Sequence, residues 1–388
     1  MSVANHFFRS GGAGGGSPSS PITSSLRVSG PNFVDNETGA ITKIRGVAGF
    51  LAPFLWMNGN REQLATFASW MRRQGANSWL FFGMWRQVPG FDPRNWADFH
   101  GQMDSMMSWM EGEGFRPYPS LFQDQVKDSP VLMSRNDAIM YFNGWRDILQ
   151  GRWCRYMNET YQNGMDLVRS LPVMAGNVLC CRGQVDDGAP WDSAGSILSF
   201  QEKSFARKFQ WPRTAKDLYE IYDQTGKPGL GGEPPCGIFE QTIEFSRSND
   251  PRKFAEWHGV ADLYGAGSFI HVDDDNLQYC IVPGPNAQAC ADHISAAWTA
   301  GLPIDGLSAG RYTRGGNPDC PMVHTDRYDD DRGEINPAGC LRTFGVIQGN
   351  RTTCIIVQPG GSWTPQGAGG WSIVKQYGPD GQFFDLAR

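Results

Sequence analysis

Apolar and polar positions along the chain alternate between two periods, and the alternation predicts a repeated strand and helix order. From Leu26 to Arg45 apolar and polar residues alternate around Asn36-Glu37-Thr38-Gly39, the pattern of a β-hairpin. Gly46 to Leu51 follows as a first buried strand, and after Asn58-Gly59-Asn60 a helix is predicted near Glu62 to Arg73. There Leu64, Phe67, Ala68 and Met71 fall on one face. Asn77 to Met84, NSWLFFGM, is a continuous apolar run of strand length, which implies burial on both sides. The next helix, about Trp96 to Glu111, carries Met103, Met106, Met107 and Met110 at core-facing spacing. Strand three is Arg116 to Phe122. Asn136 is then read as N-cap of a helix over Asp137 to Leu149, with Asp137 adding negative charge in its first turn.

The same rhythm continues. Trp153, Tyr156 and Met157 mark a fourth strand, Asn177 to Cys181 a fifth, Ile197 to Phe200 a sixth, Pro228 to Gly232 a seventh and Gly267 to Val272 an eighth. Helices are predicted at Gly164 to Ser170, Thr214 to Gln224, Arg252 to Leu263 and Ala289 to Ala300. Strands alternating with helices point to a parallel sheet with crossover helices, and eight such units to an α/β fold of the (β/α)8 barrel type. Beyond Gly301 the crossover helices stop. Short strand-like runs at Leu341 to Val346, Thr353 to Val357, Ser372 to Lys375 and Phe383 to Leu386 predict a small C-terminal antiparallel β-domain. The expected domains are therefore a Gly/Ser-rich arm (1–25), a barrel with an N-terminal hairpin (26–305) and a β-sandwich-like domain (306–388).

In a barrel of this kind chemistry sits where strands end. The fourth strand stops at Asn158-Glu159, and the seventh delivers Glu233 and is cut short by Pro234-Pro235. Two carboxylates at two strand ends form a candidate acid/base and nucleophile pair. Other strand ends offer Trp85 with Arg86, Gln123, Asp124, Arg182, His271 and Asp273 for substrate contact. Glu202 is a rival carboxylate, with a local ion pair to Lys203 as its simpler explanation.

MNETYQNG resembles the strand-four Asn-Glu-Pro signature of retaining glycoside hydrolases with a (β/α)8 barrel, the clan of cellulases, β-mannanases and β-galactosidases. GGEPPCG resembles the strand-seven segment that carries their nucleophile. The resemblance runs loosely from about Leu26 to about Gly301, and Thr160 stands where that family has proline. It implies Glu159 as acid/base, Glu233 as nucleophile, Asn158 at the sugar 2-hydroxyl, a β-linked polysaccharide as substrate and no cofactor.

Composition narrows the partners. The 388 residues carry a net charge of −6, with no run of Lys or Arg, so no nucleic-acid footprint is present. Fourteen tryptophans offer flat faces for sugar rings, although most barrel tryptophans pack cores. Nine cysteines without a C-x-x-C pair argue against zinc and for small buried thiols, with one disulfide open among Cys320, Cys340 and Cys354. The triplet Asp273-Asp274-Asp275 lacks the spacing of a calcium loop, and Tyr328 to Glu334 reads as a surface loop with only a weak metal signal, so no metal is expected.

No 18-residue apolar run predicts a membrane span, and the first residues do not read as a secretory signal. A polysaccharide hydrolase without a signal needs another way out of the cell. One expectation is a phage virion protein, extracellular after lysis, whose arm docks on other structural subunits through His6, Phe7 and Phe8 ahead of the tract from Gly11 to Ser20. The competing function is a virion structural or receptor-binding protein that grips glycan on a glycosidase-like barrel without cleaving it.

Overall fold

The computed structural model describes residues 20–30, 32–86, 88–122, 125, 129–155, 170–172, 174, 178–181, 184–185, 198–201, 227–233, 266–271, 342–348, 351–357, 371–377 and 383–385. A three-stranded sheet comes first: β1 (Leu26–Ser29), β2 (Asn32–Asp35) and β3 (Ile41–Thr42), each antiparallel to the next. The turn expected around residues 36 to 39 joins β2 to β3, and β1 adds a strand that the hairpin reading did not separate. Asp35 builds that turn by accepting from the backbone amides of Glu37 and Thr38 at 3.0 and 2.9 Å. Gly39 closes it at φ 72°, a conformation that costs glycine least.

The main sheet is parallel throughout. Its strands are β4 (Ile44–Ala48), β5 (Ser78–Phe82), β6 (Arg116–Ser120), β7 (Trp153–Arg155), β8 (Leu179–Cys181), β9 (Gln184–Val185), β10 (Leu198–Gln201), β11 (Gly229–Glu233) and β12 (Gly267–His271). They are ordered β8-β7-β6-β5-β4-β12-β11-β10-β9. The first and last members of that row are sequence neighbours: β8 pairs with β7 and β9 pairs with β10. The strands β8 and β9 thus stand at the two ends of the row with only two residues between them in sequence, which makes eight barrel positions. The last strand also pairs with the first, β12 with β4 over five residues, which joins the two halves as an α/β barrel does. Arg182, expected after the fifth strand, falls between β8 and β9 in sequence and lies outside the described residues.

Outside this sheet lie α1 (Ala52–Met57), α2 (Arg61–Arg73), α3 (Phe99–Gly112) and α4 (Arg135–Ile148). Outward-facing strand residues pack on them: Trp79 stands edge-on to Phe67 of α2 and Trp109 of α3, and Phe81 lies 6.5 Å from Trp145 of α4. The methionine stripe is core, with Met103, Met106, Met107 and Met110 all fully buried. Two boundaries differ from expectation. The cap of α4 is Ser134 and not Asn136: its hydroxyl accepts from the Asp137 amide and donates to the Asp137 carboxylate at 2.8 Å, so the two residues cap each other. The methionine helix starts at Phe99, after a short 3-10 turn over Pro93–Asn95. The helices expected at 214–224, 252–263 and 289–300, and nearly all of 164–170, lie outside the described residues.

Within the barrel, Tyr118 of β6 stacks on Trp153 of β7 at 4.0 Å and on Phe269 of β12 at 5.3 Å. Contacts between strands so far apart in the row identify these side chains as inward-facing. Gly46 on β4 makes room for them, since a Cβ there would lie 2.1 Å from the Phe269 ring. Phe33 of β2, fully buried, meets Trp153 edge-on at 5.5 Å. The N-terminal hairpin therefore plugs the barrel floor.

Four further strands form a separate sheet in the order β13 (Arg342–Gln348), β14 (Arg351–Val357), β15 (Trp371–Tyr377), β16 (Phe383–Asp385). The outer pairs are antiparallel but β14 and β15 run parallel, so this sheet is mixed where an antiparallel one was expected. The longer connection between β14 and β15 permits that crossover.

Candidate active site

Because every strand pair in the barrel is parallel, all carboxyl ends open at one face, opposite the hairpin plug. Glu233 is the last residue of β11, in register with Gln201, the last residue of β10. His271 is the last residue of β12 and pairs with Ala48 of β4. Glu159 lies outside the described residues, four positions beyond Arg155, the last residue of β7. The strand β7, beyond whose last residue Glu159 follows in sequence, and the strand β11 end at the same face. Around the barrel β7 and β11 are three positions apart.

The ladder of backbone hydrogen bonds continues past the strand ends and stiffens this face. The Phe82 amide donates to the Phe50 carbonyl, that of Gly83 to Ser120, and that of Leu121 to Arg155, at 2.8 to 3.1 Å. The Tyr141 hydroxyl, from α4, donates to the Leu121 carbonyl at 3.0 Å, and a Cβ on Gly83 would sit 2.2 Å from that hydroxyl. Gln125 pins the following loop by donating to the Val131 carbonyl and accepting from the Met133 amide, at 2.7 and 2.8 Å.

Trp85 closes one side of the mouth. Only 3% of it is exposed, and its ring stands edge-on to Phe50 and Phe82, which stack at 4.1 Å. In this arrangement Trp85 is a wall, and its indole face is not open as a platform. The other described tryptophans near the barrel, Trp70, Trp79, Trp145 and Trp153, are buried core residues. Asn158, Gln123, Asp124, Arg182 and Asp273 lie outside the described residues.

The layer beneath the mouth holds a residue that the strand pattern did not single out. Arg155 ends β7 two positions after the inward-facing Trp153, so it too faces inward, and it is 1% exposed. Its guanidinium carbon lies 5.9 Å from the centre of the Phe82 ring. Ser120, in register with Arg155, is fully buried, as is Tyr118 one layer below. Among the described residues neither hydroxyl finds a hydrogen-bond partner. Burial pushes the Tyr118 phenol well above its ordinary range, so it stays neutral. The signal was present in RWCRYM, where one charge falls inside an apolar strand at the inward parity.

The described cysteines Cys154, Cys180 and Cys181 are buried and form no disulfide with one another, and burial raises the Cys154 thiol well above its usual range. Among the described residues no group of three or more His, Cys, Asp or Glu gathers as a metal site, and no helix is long and apolar enough to cross a membrane.

Neither a family model nor a curated protein matches the chain. Solved structures do resemble it. A glycoside hydrolase family 5 mannosidase from Rhizomucor miehei is 9% identical, with 72% of this chain and 98% of that chain covered at a TM-score of 0.46. A β-glucanase from Saccharophagus degradans, in complex with cellotetraose, is 12% identical over 72% and 95% at 0.43. A GH5_18 protein from Streptomyces cattleya, in complex with GlcNAc, is 11% identical over 68% and 82% at 0.46. The barrel is defined by its own parallel strand pairings.

Proposed function

We propose that the chain is a retaining glycoside hydrolase acting on a β-linked polysaccharide. The observation that carries this reading is the parallel barrel, in which Glu233 ends one strand and the chain toward Glu159 leaves another at the same face. In the first step the ionised Glu233 carboxylate attacks the anomeric carbon. The bond from that carbon to the leaving oxygen breaks, and Glu159 donates its proton to that oxygen. In the second step Glu159 takes a proton from water, whose oxygen displaces Glu233 and restores both groups. Asn158 holds the sugar 2-hydroxyl. The negative charge of Glu233 keeps Glu159 protonated at rest.

The remaining assignments follow from that reading. Residues 306–388 form a small β-domain appended to the barrel at 26–305. The protein works outside the cell or on a virion, with residues 1–25 docked on other virion proteins.

The test is reducing-end release from β-glucans, β-mannans, β-galactans and bacterial surface polysaccharides, comparing the native chain with Glu233→Gln. Hydrolysis of one polymer that falls by several orders of magnitude in the variant is the expected result. Hydrolysis unchanged by the substitution contradicts it, and tight glycan binding with no hydrolysis favours the glycan-gripping virion protein instead.

A further inference from the structure

We propose that the seam between α3 and α4 is an acid-sensitive latch on the mouth: a neutral His100 imidazole keeps it shut, and a proton taken up by that ring loosens it. The inference stands apart from the reading of the mouth as a glycosidase site. His100 is the second residue of α3, and its Nε2 lies 3.0 Å from the Tyr141 carbonyl oxygen of α4. A carbonyl only accepts, so Nε2 carries the hydrogen and donates across the seam. The ring packs against those of Phe99, Tyr141 and Trp145, with centroids 5.4, 5.5 and 6.0 Å away. Gly144 is the notch in α4 that admits it: a Cβ there would lie 2.4 Å from Cε1 and 2.5 Å from Nδ1 of His100. Glycine is a poor residue for a helix interior, and here it lets the imidazole lie on the α4 backbone. The same tyrosine ties α4 to the mouth. Its hydroxyl donates to the Leu121 carbonyl at 3.0 Å, just past the end of β6, and the Leu121 amide donates to the carbonyl of Arg155, which ends β7, at 2.8 Å. Tyr141 thus meets α3 through its backbone and the mouth through its side chain.

The neutral ring has one N–H to place, and the Tyr141 carbonyl accepts it. A second proton would put another N–H at Nδ1, against the Gly144 backbone, among aromatic rings and in the first turn of α3, where the helix dipole opposes positive charge. The charged groups that act on the ring are Asp98, just ahead of α3, and Asp147 on α4. Both favour the imidazolium, as does the bond to Tyr141, but burial outweighs them and holds His100 below its ordinary 6.5. Tyr141, the other titratable group of the seam, is kept neutral by burial. A base lowered in the closed form takes up its proton first in the opened one. The latch is therefore fully closed above pH 6.5 and weakens as pH falls from there toward the lower folded value.

The experiment is hydrogen exchange of the full-length chain at two kinds of site, both read by mass spectrometry. Exchange of the His100 Cε1 hydrogen, in the peptide that carries it, gives the titration midpoint of that ring with no substitution. A midpoint below 6.5 is expected, and one at or above 6.5 overturns the proposal. Amide exchange over residues 135–149 and at Leu121, corrected for the intrinsic rate at each pH, is expected to show opening at least about threefold more frequent at pH 5 than at pH 8. Opening of these amides that is the same at both pH values overturns the proposal, and neither native-chain reading needs a variant to fold. In His100→Gln, which keeps a donor for the Tyr141 carbonyl but takes up no proton, the pH dependence is expected to vanish. An equal pH dependence in His100→Gln assigns the acid response to other groups and overturns the latch.

Discussion

Asp35 clasps the floor of the barrel, and replacing it by asparagine tests that clasp at nearly constant shape. Its Oδ1 accepts from the amides of Glu37 and Thr38 and from the Thr38 hydroxyl at 3.1 Å, and its Oδ2 accepts from the Ser24 hydroxyl and from Arg116 at 3.3 Å. Burial pushes this carboxyl upward, but the hydrogen bonds from Ser24, Thr38 and Glu37 together outweigh it and bring the pKa from the ordinary 3.8 down to about 2. At about 1.4 kcal/mol per pH unit, that depression contributes about 2 kcal/mol of stability. A carboxyl depressed in the folded state gives stability that is fully present above pH 3.8 and is lost as pH falls through about 2. Urea unfolding of the native chain and Asp35→Asn between pH 7 and pH 2 is therefore expected to give a gap of about 2 kcal/mol down to about pH 4 that closes toward pH 2. A gap that stays constant over this range, or one below about 0.5 kcal/mol at neutral pH, refutes the clasp.

Two further substitutions test the packing. Gly46→Ala sets a Cβ against the Phe269 ring and is expected to destabilise by about 1 to 3 kcal/mol in thermal unfolding; a neutral result contradicts the inward aromatic layer. Met106→Ala, in the fully buried stripe, is expected to cost about 2 to 5 kcal/mol, while Met140→Ala, 72% exposed on α4, stays within about 0.5; equal effects would contradict the assigned faces.

The barrel was legible because its strands are short apolar runs and its helices carry one apolar stripe. NSWLFFGM and the methionine helix point to burial whatever surrounds them. What was not legible depends on choices between near-equivalent residues. Ser134 and Asn136 are both good caps, and only the reciprocal bonds between Ser134 and Asp137 decide between them. The helix α1, APFLWM, is apolar on every side and shorter than two turns, so no periodicity marks it and the sequence reading assigned it no element. Strand direction in the C-terminal sheet is not encoded in alternation, which selects a face and not a neighbour, so the parallel pairing of β14 with β15 was not legible. At the site, Glu233 falls where the proline stop implied. Arg155 was missed because a strand pattern weighs its apolar neighbours and passes over the single charge among them.

The most direct test of the central claim is the distance between the carboxyl groups of Glu159 and Glu233 in a crystal structure of the full chain. The retaining mechanism predicts about 5 to 5.5 Å across one mouth. A gap of about 6.5 to 9.5 Å would mean inversion instead, and glutamates on opposite sides of a wider opening would contradict the assignment of both residues.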